Sequence, residues 1–299
     1  MSMSATYTRR GRQENSWAAR ARALSHACFP LLVLFLFFSV FISNAHAEEA
    51  MTPDYDPWQR LMDTYLTEGT DGAPNLVDYP ALKAHPADRA ALKAYIATLE
   101  KIDPKSLSRD DRFAFWANLY NAVTVDVVVD HIPVASIRDI SISPGLFSKG
   151  PWGKKLVTIG GRELSLDDIE HAILRPDFKD ARVHYAVNCA SWSCPDLAPE
   201  PYRGATLDAA LDAAARAYIN SPRGVRFEDG KLVLSSIFDW YQEDFGGSEA
   251  GVLAHIRKYA DDALAARLDA AGGVSSYSYD WSLNLNDAGR GTAQPEDLN

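Results

Sequence analysis

Cysteine is scarce in this chain: 299 residues carry three, and Cys28 lies far from the other two, Cys189 and Cys194. No second Cys pair exists to complete a four-coordinate zinc site, so no metal is expected. Basic residues are also in short supply, 30 Lys and Arg against 40 Asp and Glu for a net charge of −10. That balance argues against nucleic acid or anionic lipid as a partner. Long apolar runs are missing as well, since the stretch Phe29 to Ile42 is about fourteen residues, too short to span a bilayer unaided. No internal repeat or low-complexity segment precedes the last residues, which excludes an array of repeats.

What is present begins with Arg9, Arg10, Arg12, Arg20 and Arg22, then that apolar stretch, then Ala45-His46-Ala47 before Glu48-Glu49. This order is that of a secretory signal peptide over residues 1–47, with cleavage after Ala47. Cys28 precedes the apolar stretch, so a lipid anchor does not fit, and Arg9-Arg10 lies too far from it for a twin-arginine signal. The expectation is export by the general secretory route to the periplasm or beyond, with no integral membrane segment in the mature chain. Losing five Arg and one Glu takes the formal charge from −10 to −14. The remaining chain, about 250 residues, suits one domain with an ample core, in a compartment where two Cys tend to pair.

Along the mature chain, residues 56–67 and 87–101 repeat apolar residues at helical spacing and form an N-terminal helical part over 48–107. Ser108-Arg-Asp-Asp111 has the capping pattern of a helix start, and Phe113 onward is apolar almost all round. This is the expected buried central helix, with Asn118 and Asn121 on one face and a β-branched stretch, Val123 to Val129, where it should unwind early. The two amides are either structural, bonding to loop backbone, or functional, orienting an imidazole or binding a carbonyl. The Gly/Pro-rich stretch 141–155, around Phe147 and Trp152, reads as a lid or embracing loop. Hairpins are expected across Gly160-Gly161 and across Glu228-Asp-Gly-Lys231, and helices after Ser165, from Thr206 to Asn220, and from Ser248 through Ala270. Ile237 to Phe245 reads as an aromatic core patch, residues 279–284 as a last strand, and 285–299 as a disordered tail.

The organising segment is Ala181 to Pro195, which holds His184, Cys189 and Cys194 in one short run. Arg182 to Val187 alternates and reads as a half-buried strand, with a turn from Ala190 to Pro195. Four readings remain open. In a His184–Cys189 dyad, five residues of unbroken strand would put the two side chains on opposite faces. A Cys189–Cys194 disulfide would close a small loop, adding roughly 2 kcal/mol in the chain-entropy model. A metal site lacks ligands, and in the last reading both Cys are plain core residues.

The motifs Phe115-Trp-Ala-Asn-Leu-Tyr-Asn-Ala122, Asp168-Ile-Glu-His-Ala-Ile-Leu-Arg175, Arg182 to Pro195, Ile237-Phe-Asp-Trp-Tyr241 and Tyr279-Asp-Trp-Ser-Leu-Asn284 together resemble domain of unknown function 547, over residues 108–284. The resemblance implies a fold and puts weight on Asn118, Asn121, Glu170, His171, His184, Cys189, Cys194 and Asp280; it implies no reaction and no cofactor. The fold class expected is α+β, a single domain with a buried central helix, a small mostly antiparallel sheet with hairpins, and surrounding helices. Two functional classes stay open. One is a cysteine-dependent hydrolase or acyl transferase: Cys189 attacks, His171 (preferred, since a helix across the sheet can reach either face) or His184 is the base, and Asp280 or a central-helix Asn orients the ring. The other is a non-catalytic domain, stapled by a Cys189–Cys194 disulfide, that binds an unknown ligand or protein partner.

Overall fold

The computed structural model describes residues 52–145 and 148–286. The expected signal peptide with Cys28, the lid residue Phe147 and the tail from Asp287 onward lie outside the described residues. The described chain is an α+β domain built around α4, Arg109–His131. Ser108 caps this helix by accepting a hydrogen bond from the Asp111 backbone, and Asp110 and Asp111 sit in the first turn, where carboxylates suit the helix dipole. From Phe113 to Val129 nearly every side chain is buried. The expected unwinding at Val123 does not occur: Val123, Val125, Val127, Val128 and Val129 stay helical and pack, so burial overrides the modest β-branched penalty. The helix stops at Ile132, before Pro133, which disfavours a helical preceding residue.

Around α4 pack α1 (Asp56–Tyr65), α2 (Tyr79–Ala84) and α3 (Pro86–Leu99), their apolar faces joining one large core. The pair β1 (Leu66–Thr67) and β2 (Leu76–Val77) links the first two helices. After α4 come the hairpin β3 (Val157–Ile159) and β4 (Arg162–Leu164), turning at Gly160 and Gly161 with φ of 56° and 76°, values that glycine adopts without strain. A π-helical segment, Asp168–Leu174, runs directly into α5, Arg175–Phe178. Pro176 therefore sits inside the helix rather than ending it, at the second residue of α5.

A second, smaller core gathers α7 (Leu207–Ile219), the hairpin β5 (Val225–Glu228) and β6 (Lys231–Ser235), α9 (Glu249–Tyr259) and α10 (Asp262–Ala270). The short helix α8 (Ile237–Trp240) follows β6, and β7 (Val274–Ser278) pairs with β6 in parallel. There are thus three small sheets among the described residues, two antiparallel pairs and one mixed three-stranded sheet, rather than a single one.

Two expected elements differ. Residues 182–187 do not form a strand: Val183–Ala186 is one helical turn, α6. Val183 and Ala186 face the large core and Tyr185 the small one, so a turn wedged between two cores buries residues at strand-like spacing without being a strand. Residues 279–284 are not a regular strand either, but a seam of single bridges: Ser282 to Ser136, Leu283 to Ser191 and Leu285 to Val77. Leu285 and Asn286, read from sequence as the start of the tail, belong to that seam, with Asn286 bonding Val77 through its backbone and Thr67 through its side chain.

Candidate functional site

The site is built on the loop that leaves α6. Its entry is held by Asn121 of α4, whose amide nitrogen donates to the Ala186 carbonyl at 2.9 Å while its oxygen accepts from the Asn188 backbone at 2.8 Å. Asn188 in turn accepts from the Ala190 backbone and donates to the Pro195 carbonyl, closing the loop on itself. Between these clamps lies Cys189, followed by Ala190 with φ of 58°, a left-handed conformation that costs a non-glycine residue about 1 kcal/mol and persists because its surroundings impose it. The seam finishes the job: Trp192 donates to the Ser282 carbonyl, Ser193 to that of Asp280, and Asn284 to that of Ala190. Asn118 makes a matching bidentate pair with the Tyr202 backbone. Both helix amides are buried and spent on backbone groups, and neither bonds an imidazole in the structure.

Both thiols are free, Cys194 buried and Cys189 partly accessible. Their sulfurs lie 2.9 Å apart and share a hydrogen bond. Cys189 Sγ also bonds the Ser191 hydroxyl and the Tyr279 phenol, each at 3.1 Å, and those two oxygens bond each other at 2.9 Å. Burial pushes the Cys189 thiol up, but the hydrogen bonds with Cys194, Ser191 and Tyr279 outweigh it and hold the group below its ordinary value. Cys194 goes the other way, raised by burial and then by the neighbouring Cys189 sulfur. Tyr279 is likewise raised by burial and by both sulfurs, so it remains a phenol able to donate.

Cys189 opens into a cavity of about 540 Å³ whose other wall carries Glu170, His171, His184 and Tyr241. His184 is almost fully enclosed, its Nε2 2.7 Å from Asp244 and its Nδ1 3.8 Å from Glu170, with Tyr241 stacked on the ring at 4.1 Å. Arg175 also donates to Asp244 at 2.6 Å and lies over the Tyr241 ring. The His184 hydrogen bond is the main cause that draws the Asp244 carboxyl down to about 2, against burial and with help from Arg175. His171, on the π-helical segment, is a third exposed; Arg175 lies 3.3 Å from its Nδ1, and Asp167 and Glu170 stand nearly 4 Å away. The extra residue per turn of a π-segment is a common feature at functional sites, and here Glu170 is turned into the cavity beside His171. Trp152, Trp240 and Trp281 form the rim, Trp152 from the stretch expected to embrace the site.

Of the residues singled out in the sequence, the fold brings Glu170, His171, His184, Cys189 and Cys194 to one cavity and uses Asn118 and Asn121 as scaffolding. Neither imidazole hydrogen-bonds Cys189. The Asp280 carboxylate is occupied by the Ser282 backbone and hydroxyl and reaches neither ring. Sequence reasoning missed Asp244, Tyr241, Ser191 and Tyr279. Asp244 and Tyr241 sit in the Ile237–Phe245 stretch read as core, where Phe238 and Phe245 are indeed buried but Tyr241 lines the cavity. A signal was available: an acid at the end of an aromatic run needs a partner. Tyr279 directly precedes Asp280, the residue the family motif weights.

Residues 104–219 match the model of the family described as "Protein of unknown function, DUF547". The chain carries a DUF547 domain. No curated protein and no solved structure matches it. The matched DUF547 segment contains α4, the π-segment and the Cys loop, and it stops before Tyr241, Asp244 and Tyr279. The cavity is therefore completed by residues beyond the matched segment. No described helix is long and apolar enough to cross a membrane.

Proposed function

We propose that this DUF547 protein is an exported cysteine-dependent hydrolase or acyl transferase with Cys189 as its nucleophile. The observation that carries the reading is a partly accessible thiol, hydrogen-bonded to Cys194, Ser191 and Tyr279 and held below its ordinary value by those contacts, in a cavity that also holds two imidazoles and a carboxylate. The thiolate attacks an acyl carbon, and the departing amine or alcohol leaves with a proton from the facing wall. His171 is the proton carrier we assign, because its ring has access to the cavity while both nitrogens of His184 face carboxylates. His184, braced by Asp244, and Glu170 set the charge of that wall, and Asn121 fixes the loop that presents the thiol. Water or a second acceptor then releases the acyl group.

Incubation of the reduced mature protein with activated esters and thioesters tests this: a burst of one equivalent of leaving group and a stable mass increase on Cys189 are expected, both abolished by Cys189→Ala. Absence of any acyl adduct, with Cys189 alkylating no faster at neutral pH than a free thiol, would overturn it. Export is tested separately, by N-terminal sequencing of the protein from its host, which should read from Glu48.

A second reading rests on the 2.9 Å between the sulfurs. Closed into a permanent disulfide, the pair would staple a domain whose cavity binds a ligand or partner. Titration of the native protein under denaturing, non-reducing conditions separates the two: no free thiol favours the staple, two favour the nucleophile.

A further inference from the structure

The same pair of sulfurs supports an activity beyond acyl transfer. We propose that Cys189 and Cys194 perform thiol–disulfide exchange on accessible disulfides, Cys189 attacking and Cys194 resolving. Four features of the loop point to it. The free sulfurs sit at 2.9 Å, about 1 Å beyond bonding distance, so the bond can form with little movement. Access is unequal: Cys189 faces the cavity while Cys194 is nearly enclosed, which directs an incoming disulfide to one sulfur. The loop is fixed by Asn121, Asn188 and the left-handed Ala190, so the approach of the sulfurs is imposed by the backbone rather than by chance rotamers. Finally, the backbone N–H of Cys189 donates to Cys194 Sγ at 2.9 Å, a donor already in place for the charge that develops on the resolving sulfur.

The chemistry balances as follows. The Cys189 thiolate attacks one sulfur of R–S–S–R′, forming a Cys189–S–S–R mixed disulfide and expelling R′S⁻. Cys194 then loses its proton to the expelled thiolate and attacks Cys189 Sγ; the Cys189–Cys194 bond forms, the mixed disulfide breaks, and RS⁻ leaves, to be protonated by solvent. Two thiols of the protein are oxidised and one substrate disulfide is reduced to two thiols. Electrostatics order the steps: burial raises Cys194, and so does the charged Cys189 sulfur, but that charge disappears once the mixed disulfide exists, easing the second deprotonation. In reverse, an external thiol attacks the accessible Cys189 sulfur and Cys194 departs toward the waiting N–H.

The proposal shares with the acyl-transfer reading only the identity of the nucleophile, and the two fail separately. Reduced, desalted mature protein is mixed with glutathione disulfide and followed by intact mass and peptide mapping. Expected is a product lighter by two hydrogens, with a Cys189–Cys194 crosslink and no retained glutathione, and a return to the starting mass with excess reduced glutathione. Cys194→Ser should instead trap glutathione on Cys189. Accumulation of the Cys189 adduct in the wild-type protein would overturn the proposal, as would a crosslink that native protein cannot exchange with glutathione, or no reaction under conditions where iodoacetamide alkylates Cys189. Should Cys194→Ser fail to fold, the wild-type masses decide alone. A protein that exchanges but never acylates retains this inference and loses the other.

Discussion

Tyr279 and Ser191 each hydrogen-bond Cys189 Sγ at 3.1 Å and help hold the thiol below its ordinary value where burial alone would push it up, so under the proposed function they set its reactivity. Tyr279→Phe is expected to raise the midpoint of the pH–alkylation curve by about one unit and slow iodoacetamide labelling at neutral pH by roughly tenfold, which stopped-flow alkylation would measure. A midpoint that does not move would mean the phenol accepts rather than donates. Asp244 gives a prediction in stability. Its carboxyl is held at about 2, chiefly by His184, below the ordinary 3.8, so its contribution is present above pH 4 and fades as pH falls toward 2. His255 acts at higher pH: burial, then Lys258, lowers it from 6.5 to about 4, so the unfolded chain takes up its proton first and stability falls as pH drops from about 6.5 to 4. His255→Gln should flatten the upper limb of a Tm–pH curve and Asp244→Asn the lower one, each limb being of order 1–2 kcal/mol for these incompletely buried groups.

At the scale of elements, α4 shows how one helix serves two ends with the same residue type. Asn118 and Asn121 each hold a backbone N–H and a backbone carbonyl, but Asn118 holds Tyr202 and Asn121 holds the entry to the Cys loop. Replacing either by Leu strands two buried polar groups and should cost about 2–4 kcal/mol in chemical denaturation. Only Asn121→Leu should also change the alkylation rate of Cys189. Equal effects of both on that rate would mean the loop is held by something other than its amide clamp.

For the whole molecule, residues 279–286 are the seam between distant parts. Through single bridges they join β2, the stretch after α4 and the Cys loop, and Asn284, wholly buried, accepts from the Tyr79 phenol and donates to the Asn75 carbonyl. Asn284→Ala should lower stability by about 2–3 kcal/mol although it lies almost a hundred residues from the cysteines in sequence. Truncation after Ser278 should broaden the calorimetric transition and expose Cys189 and Cys194 to rapid, equal alkylation. A truncated chain that keeps a sharp transition and the difference between its thiols would show the seam to be dispensable.

The sequence by itself determined the parts governed by local rules. The cap at Ser108, the two glycine hairpins and the helices α1, α3, α4, α7, α9 and α10 follow from periodicity, capping and turn chemistry, all of which act over a few residues. The family motifs also marked Glu170, His171, His184, Cys189 and Cys194, which the fold gathers in one cavity. Where alternation was read as a strand, at 182–187, the local pattern was real but its cause was two cores on either side of one helical turn. The β-branched half of α4 stayed helical because burial there exceeds a few tenths of a kcal/mol of propensity per residue. Asp244 against His184, and Tyr279 against Cys189, are contacts 60 and 90 residues apart. Only tertiary structure decides such contacts, since whether a buried imidazole or thiol finds its partner depends on how the cores close around it and not on its neighbours in the chain.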